Sequence, residues 1–235
     1  MKVSELFRKL SFGELSNLSL ANSGDGTIAL DKHPKLIGYV NDGLMSLYSR
    51  FVLRENDVLL RLVVPRRNYE LNSRYSLINP TPTPGDDLYI DDSVERPFQN
   101  DVLKITAVYD GAGQLLPLND PDSAYSMFTP QPAVLQVPKP ATGAILAVVY
   151  QASPLPIPDD DDLTTEIMLP PVLDKALQSY VAAMVFSHMG GQENTAKGAE
   201  HLAIYEAVCS QVEQGDLVNN SMSSTNTRFA KGGWI

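Results

Sequence analysis

Two carboxylate pairs, Asp86–Asp87 and Asp91–Asp92, bracket the short run "LYI". Two carboxyl groups facing one another across a sugar are the core apparatus of glycoside hydrolysis, one as acid, the other as base or nucleophile. In a chain with twenty-eight acidic residues such pairs are near background, so a carboxylate-based glycan hydrolase stands only as an alternative. Four consecutive aspartates, Asp159 to Asp162, could offer oxygen ligands to calcium. They lack the glycine and terminal glutamate that shape an EF-hand loop and read as a solvated charge run. The three histidines, His33, His188 and His201, never fall at the i, i+4 spacing of a helical metal site. His188 precedes Gly190 in a last helical turn, where the dipole favours a cation; His201 belongs at the solvent edge of a helical stripe. The single Cys209 excludes an internal disulfide and a cysteine-based zinc site and reads as a small buried hydrophobe. "NSGDGT" and "DGAGQ" do not form a phosphate-binding loop, and no serine has a G-x-S-x-G setting. The residues predict no catalytic centre, no metal and no cofactor: this is not an enzyme.

The C-terminal stretch, "NNSMSSTNTRFAKGGWI", points to binding instead. Its polar spacer cannot bury enough apolar surface to offset the entropy of ordering. Beyond it stand Arg228, Phe229, Lys231, the only tryptophan, Trp234, and Ile235. Tryptophan and arginine are the side chains most enriched at interface hot spots. The pattern is that of an extended arm with an anchor, ordering on a partner, and these five residues are its candidate contacts.

Helical patterns at both ends of the chain must position that arm. Val3, Leu6, Phe7 and Leu10 form a short amphipathic face. After Pro34, a helix-start signal, Ile37, Val40, Leu44, Leu47 and Phe51 recur at spacings of 3, 4, 3 and 4, a seam for another helix. Gly38 and Gly43 weaken that helix slightly. Toward the C-terminus, Leu173, Leu177, Tyr180, Val181, Met184 and Val185 share one stripe, and Leu202, Tyr205, Cys209 and Val212 share another. Gly190–Gly191 between them predicts two antiparallel helices joined by a tight turn.

The middle of the chain has a different texture. "DVLLRLVVP", "DVLKITAVYD", "AVLQVP" and "AILAVVYQA" read as strands, with "DGAG" at Asp110–Gly113 as a hairpin turn. In the second, Leu103, Ile105, Ala107 and Tyr109 are expected on one face. Most of the seventeen prolines lie here, which disfavours long helices. The expected fold class is therefore α+β: a bundle of N- and C-terminal helices, a small inserted antiparallel β domain, and the extended arm. The expected divisions are residues 1–56, 57–165, 166–215 and 216–235.

Composition sets further bounds. Hydrophobic residues make up 43% of the chain, enough for a core at this length. A net charge of −10 disfavours tight binding of duplex DNA, which needs Lys and Arg to replace counterions. The opening "MKVSELFRKLSF" lacks a signal-peptide apolar run, and no segment reaches the ~18 apolar residues of a membrane helix, so a reducing, aqueous compartment without membrane attachment is expected.

Two blocks of the sequence resemble bacteriophage head-to-tail adaptor (connector) proteins, those of short-tailed phages most of all. "KVSELFRKL" followed by "LIGYVNDGLMSLYSRFVLREND" is similar to the family's first two helices, with "YVNDGL" (Tyr39 to Leu44) at the place of a "W-L-N-D-A-L"-like core. Gly43, where the family often has alanine, is a mild departure. The segment from Leu169 to Val212 resembles the family's paired C-terminal helices, with Leu169, Pro170, Ala176, Leu177, Tyr180, Val181, Ala199, Tyr205 and Val212 at matching positions. The resemblance implies a structural virion protein at the portal vertex, assembled in the host cytoplasm as a ring of identical subunits, twelve in number. It implies that the arm docks on the portal protein, that the other face receives the tail nozzle and possibly tail fibres, and that double-stranded DNA passes through without specific binding. The alternative within this class is a head-completion or other tail protein of a long-tailed phage.

Overall fold

A computed structural model describes residues 1–16, 28–159 and 163–218. They form an α+β fold with helices at both ends of the chain and antiparallel sheets between, and they divide into two compact units. One comprises Met1–Leu53 and the described residues from Pro154 onward; the other is Arg54–Ser153.

The helical unit contains α1 (Val3–Phe12), α2 (His33–Arg50), α3 (Asp174–Met189) and α4 (Gln192–Gln214). The first amides of α1, which lack intrahelical partners, donate elsewhere in the chain: Val3 N–H to the Thr165 carbonyl at 3.1 Å and Ser4 N–H to that of Leu163 at 3.0 Å. Val3, Leu6, Phe7 and Leu10 are buried, as their spacing requires. In α2 the buried face is Leu36, Ile37, Val40, Gly43, Leu44, Leu47 and Tyr48. The turn between α3 and α4 is made by Gly190 and Gly191, both with positive φ (71° and 85°), a conformation that glycine alone adopts cheaply.

α3 departs from a one-sided stripe. Its buried residues include Ala176, Leu177, Ser179, Val181, Ala182, Ala183, Val185 and Phe186, which lie around most of the helix. A helix apolar on nearly every side is buried between neighbours. Small residues permit this. A Cβ placed on Gly43 of α2 would stand 2.8 Å from Leu177 Cδ1 and 2.9 Å from Tyr180 Cδ1. One on Gly198 of α4 would stand 2.6 Å from Ser187 Oγ and 3.2 Å from the Ala183 carbonyl oxygen. Gly43 is thus a close approach of two helices, more than a mild departure from alanine.

The other unit holds a four-stranded antiparallel sheet in the order β3-β1-β7-β4 and a three-stranded one in the order β2-β6-β5. The strands are β1 (Glu55–Arg61), β2 (Asn68–Glu70), β3 (Ile90–Asp91), β4 (Val102–Tyr109), β5 (Phe128–Gln131), β6 (Val134–Gln136) and β7 (Ile145–Ala152). Val58, Leu60, Ile90, Ile105, Val108, Val148 and Tyr150 share its core with Tyr69, Tyr89 and Leu135. The buried side chains of β4 are Ile105, Val108 and Tyr109; Leu103 and Ala107 are only partly covered. Two register shifts, between Val102 and Lys104 and between Ile105 and Ala107, break the expected alternation, because each extra residue turns the following side chains to the other face. Asp110 closes the turn after β4 by accepting from the Ala112 and Gln114 amides at 2.9 and 2.8 Å.

Two glycines of α2 should respond oppositely to the same change. Gly38→Ala meets nothing within 4 Å and should raise stability by about 0.5–1 kcal/mol through helix propensity. Gly43→Ala must displace Leu177 and Tyr180 and should lower it by about 1–2 kcal/mol. Urea denaturation midpoints of the two variants check both signs.

Candidate assembly surfaces

The helical seam is assembled from three helices. Ile37, Val40, Leu44, Leu47 and Phe51 are all buried, as are Leu173 and Leu177. Tyr180, half-buried, packs edge-on against Tyr205 of α4, with ring centroids 5.4 Å apart. The Tyr205 hydroxyl lies 2.8 Å from Ser46 Oγ of α2, so α2, α3 and α4 meet at one polar contact inside an apolar seam. Leu202 is a correction: it is 41% exposed and does not enter the seam. Gly198, Tyr205, Cys209 and Val212 carry the buried face of α4 instead.

Asn41, inside the "YVNDGL" motif, has a defined task. Its Nδ2 donates to the Ile157 carbonyl at 3.0 Å and its Oδ1 accepts from the Ile157 amide at 2.9 Å. One amide side chain therefore pairs with a whole backbone unit, as a strand neighbour would. The Tyr48 hydroxyl donates to the Met168 carbonyl at 2.5 Å. Together they fasten the chain to α2 on its way to α3. At the far end of α2, Arg50 donates to Glu213 through Nε and Nη2 (2.7 and 3.1 Å) and to Glu206 through Nη1 (2.6 Å). The hydrogen bonds from Arg50 hold the Glu213 carboxyl below its ordinary range.

The histidines and the cysteine serve the bundle. His33 Nε2 donates to the Ile28 carbonyl at 3.0 Å, and its ring lies 5.2 Å from that of Phe7. His188, in the last turn of α3, donates from Nδ1 to the Met184 carbonyl at 2.8 Å and stacks on Tyr39. His201 stacks on Phe186 at an interplanar angle of 6°. Cys209 is fully buried, and that burial pushes its thiol pKa up, away from the thiolate a nucleophile needs.

In the β unit the four sequence-selected carboxylates are occupied separately. Asp86 accepts from Arg74 at 2.6 and 3.0 Å, which draws its pKa down, opposite to the raised value of a general acid. Asp87 pairs with Arg66 at 3.4 Å and Asp91 with Arg61 at 2.8 Å. Asp92 accepts from Ser76 Oγ at 2.6 Å and the Phe98 amide at 2.9 Å. A residue not selected from the sequence, Asp101, lies beneath a cleft of about 480 Å³ beside β1. It is buried and accepts from Tyr150 Oη (2.9 Å) and Asn56 Nδ2 (3.0 Å), with Arg54 at 3.4 Å. Burial first, and then Asp101, raise the Tyr150 pKa, so its phenol remains protonated. Only the fold joins positions 56, 101 and 150.

Arg228, Phe229, Lys231, Trp234 and Ile235 lie outside the described residues, as do Asp160 to Asp162. No helix among the described residues is long and apolar enough to cross a membrane.

The model of a family described as SU10 adaptor protein aligns with residues 10–228 of the 235. No curated protein matches the chain at a significant level.

Two outcomes are expected in the bundle. Asn41→Ala removes both bonds to Ile157 and should cost about 1–3 kcal/mol in denaturant unfolding. Glu213 has a folded pKa below its unfolded value near 4.5, so its contribution is present above that value and lost as pH falls through the folded one. Glu213→Gln should flatten the acid limb of stability below about pH 4.5. The effect should be small and salt-sensitive, because Glu213 is 41% exposed.

Proposed function

Since the chain belongs to the SU10 adaptor protein family, a phage head–tail adaptor family, we propose that it assembles as a ring of twelve identical subunits between portal and tail, conducting DNA during retention and ejection. The family match over residues 10–228 carries this reading. On this reading the chain is a non-enzymatic structural component of the virion, and the short-tailed type is the one its sequence most resembles.

The portal-facing anchor is the arm, with Arg228, Phe229, Lys231, Trp234 and Ile235 as contacts; a polar spacer of this kind spans roughly 15–20 Å as a coil. The tail nozzle and tail fibres sit on the other side. Neighbouring bundles pack through the outward face of α4, where Ala196, Ala199, Leu202, Ala203 and Ala207 are exposed. Small side chains let another helix approach closely, and Leu202 supplies apolar area. The net charge of −10 repels phosphate, so a duplex in the passage slides without adhering.

Native mass spectrometry with the portal of the same phage tests the reading. The full chain should saturate the portal as a ring, and a chain truncated after Gly215 should not. Absence of binding by both would withdraw the assignment.

A further inference from the structure

The four-stranded sheet has an incomplete edge. On one side of β1, Arg54 accepts from the Ala152 amide at 2.9 Å and Leu62 donates to the Ala144 carbonyl at 2.8 Å, with Asn56↔Tyr150, Val58↔Val148 and Leu60↔Leu146 between them in register. Even-numbered residues therefore bond to β7, and Glu55, Asp57, Leu59 and Arg61 direct their N–H and C=O groups the other way. On that side the Arg61 amide donates to the Tyr89 carbonyl at 2.8 Å and Leu59 faces Asp91. Then β3 ends. Among the described residues no strand lies opposite Asp57 and Glu55, and neither makes a backbone bond on this edge. Asp57 lines the cleft of about 480 Å³, together with the bridged turn from Ser93 to Arg96 and Phe98.

An unpaired edge at the base of a groove is a template for an added strand. The adjacent side chains state which one. Residues directly opposite in an antiparallel pair share a face, so an incoming strand in line with β3 would set two residues, two apart, opposite Asp57 and Glu55. Both carboxylates are on exposed residues; Glu55 Oε1 accepts from Thr106 Oγ1 at 3.4 Å, and neither carboxylate enters an ion pair among the described residues. The residue between would face Phe98 and Tyr150, which line the groove. We infer that β1 captures an extended segment of a tail-side partner, with Lys or Arg at alternate positions and an apolar residue between. This deepens the adaptor reading and rests on it for the identity of the partner.

The test is fluorescence anisotropy of the full chain with a dye-labelled heptapeptide of alternating lysine and valine, capped at both ends. Binding should be at least about tenfold tighter than that of a glutamate–valine peptide, and than that of the same lysine peptide N-methylated on the amides facing β1. The variant E55K/D57K should lose the lysine–valine peptide while keeping the wild-type circular dichroism spectrum. Equal binding of methylated and unmethylated peptides would overturn strand addition, since charge alone would then account for it; so would unchanged binding by E55K/D57K, or no binding at all. Binding only after truncation at Gly215 would assign the edge to the chain's own C-terminal segment. Self-association abolished by E55K/D57K would assign it to a second copy. Either result overturns the tail-side partner. None of these outcomes touches the portal assay, whose failure alone withdraws the adaptor reading.

Discussion

Everything in the helical unit depends on how closely other helices can approach α3. Its sides are covered by α2 and α4 at distances that a single added methyl group would violate, at Gly43 in one case and Gly198 in the other. Close-packed interiors do not absorb such intrusions without moving side chains off their rotamers. The glycines therefore set the spacing at which Tyr180 meets Tyr205 and Tyr205 meets Ser46. Widening either gap would separate the groups that register the three helices. Glycine costs helix stability in exchange for this contact, and the seam of Ile37, Val40, Leu44 and Leu47 offsets that cost through burial.

A second consequence concerns the hundred-residue insertion between α2 and the return of the chain. Such a connection is tolerable because loop-closure entropy rises only slowly with length. It is also made easy by the pairing within the β unit. The first and last strands of that unit, β1 and β7, are hydrogen-bonded neighbours along their whole length, from Glu55↔Gln151 to Arg61↔Ile145. Arg54 holds Ser153 at 3.0 Å through its guanidinium. The insertion thus enters and leaves at adjacent points. Asn41 and Tyr48 then take hold of the returning segment at Ile157 and Met168, so an inserted unit and a continuous bundle coexist in one chain.

What the sequence disclosed follows from how local each signal is. The 3, 4, 3, 4 spacing of α2 repeats over four turns, and every residue in it is buried. β1, β4, β6 and β7 stand out as apolar runs between turn residues. β2, β3 and β5 span three, two and four residues, too short for any alternation to accumulate, and their pairing depends on distant partners. The phase of β4 was obscured by bulges, which are set by β7 and leave no local mark. Leu202 fits the spacing of its stripe yet is 41% exposed, so spacing alone does not say where along α4 a neighbour covers the helix. Asp101 and the open edge of β1 are the extreme case. The first acquires its partners only in three dimensions, and the second exists because β3 stops after Asp91.

Charge distribution bears on the proposed passage of DNA. The chain carries eighteen basic residues, yet Arg50, Arg54, Arg61, Arg66 and Arg74 are each committed to a carboxylate of the same chain. Arg66 is also drawn over the rings of Tyr75 and Tyr89, at 5.4 and 5.0 Å from their centroids. A guanidinium already paired and stacked gains little by exchanging its partner for a phosphate, because the counterion released from DNA is balanced by a carboxylate left unpaired. The surplus of negative charge is then left to act outward. In the proposed ring that surplus would be multiplied by the number of copies. Its repulsion would fall off over about 8 Å at physiological ionic strength, short enough to keep phosphates from settling on the wall while leaving a duplex free to move along the axis.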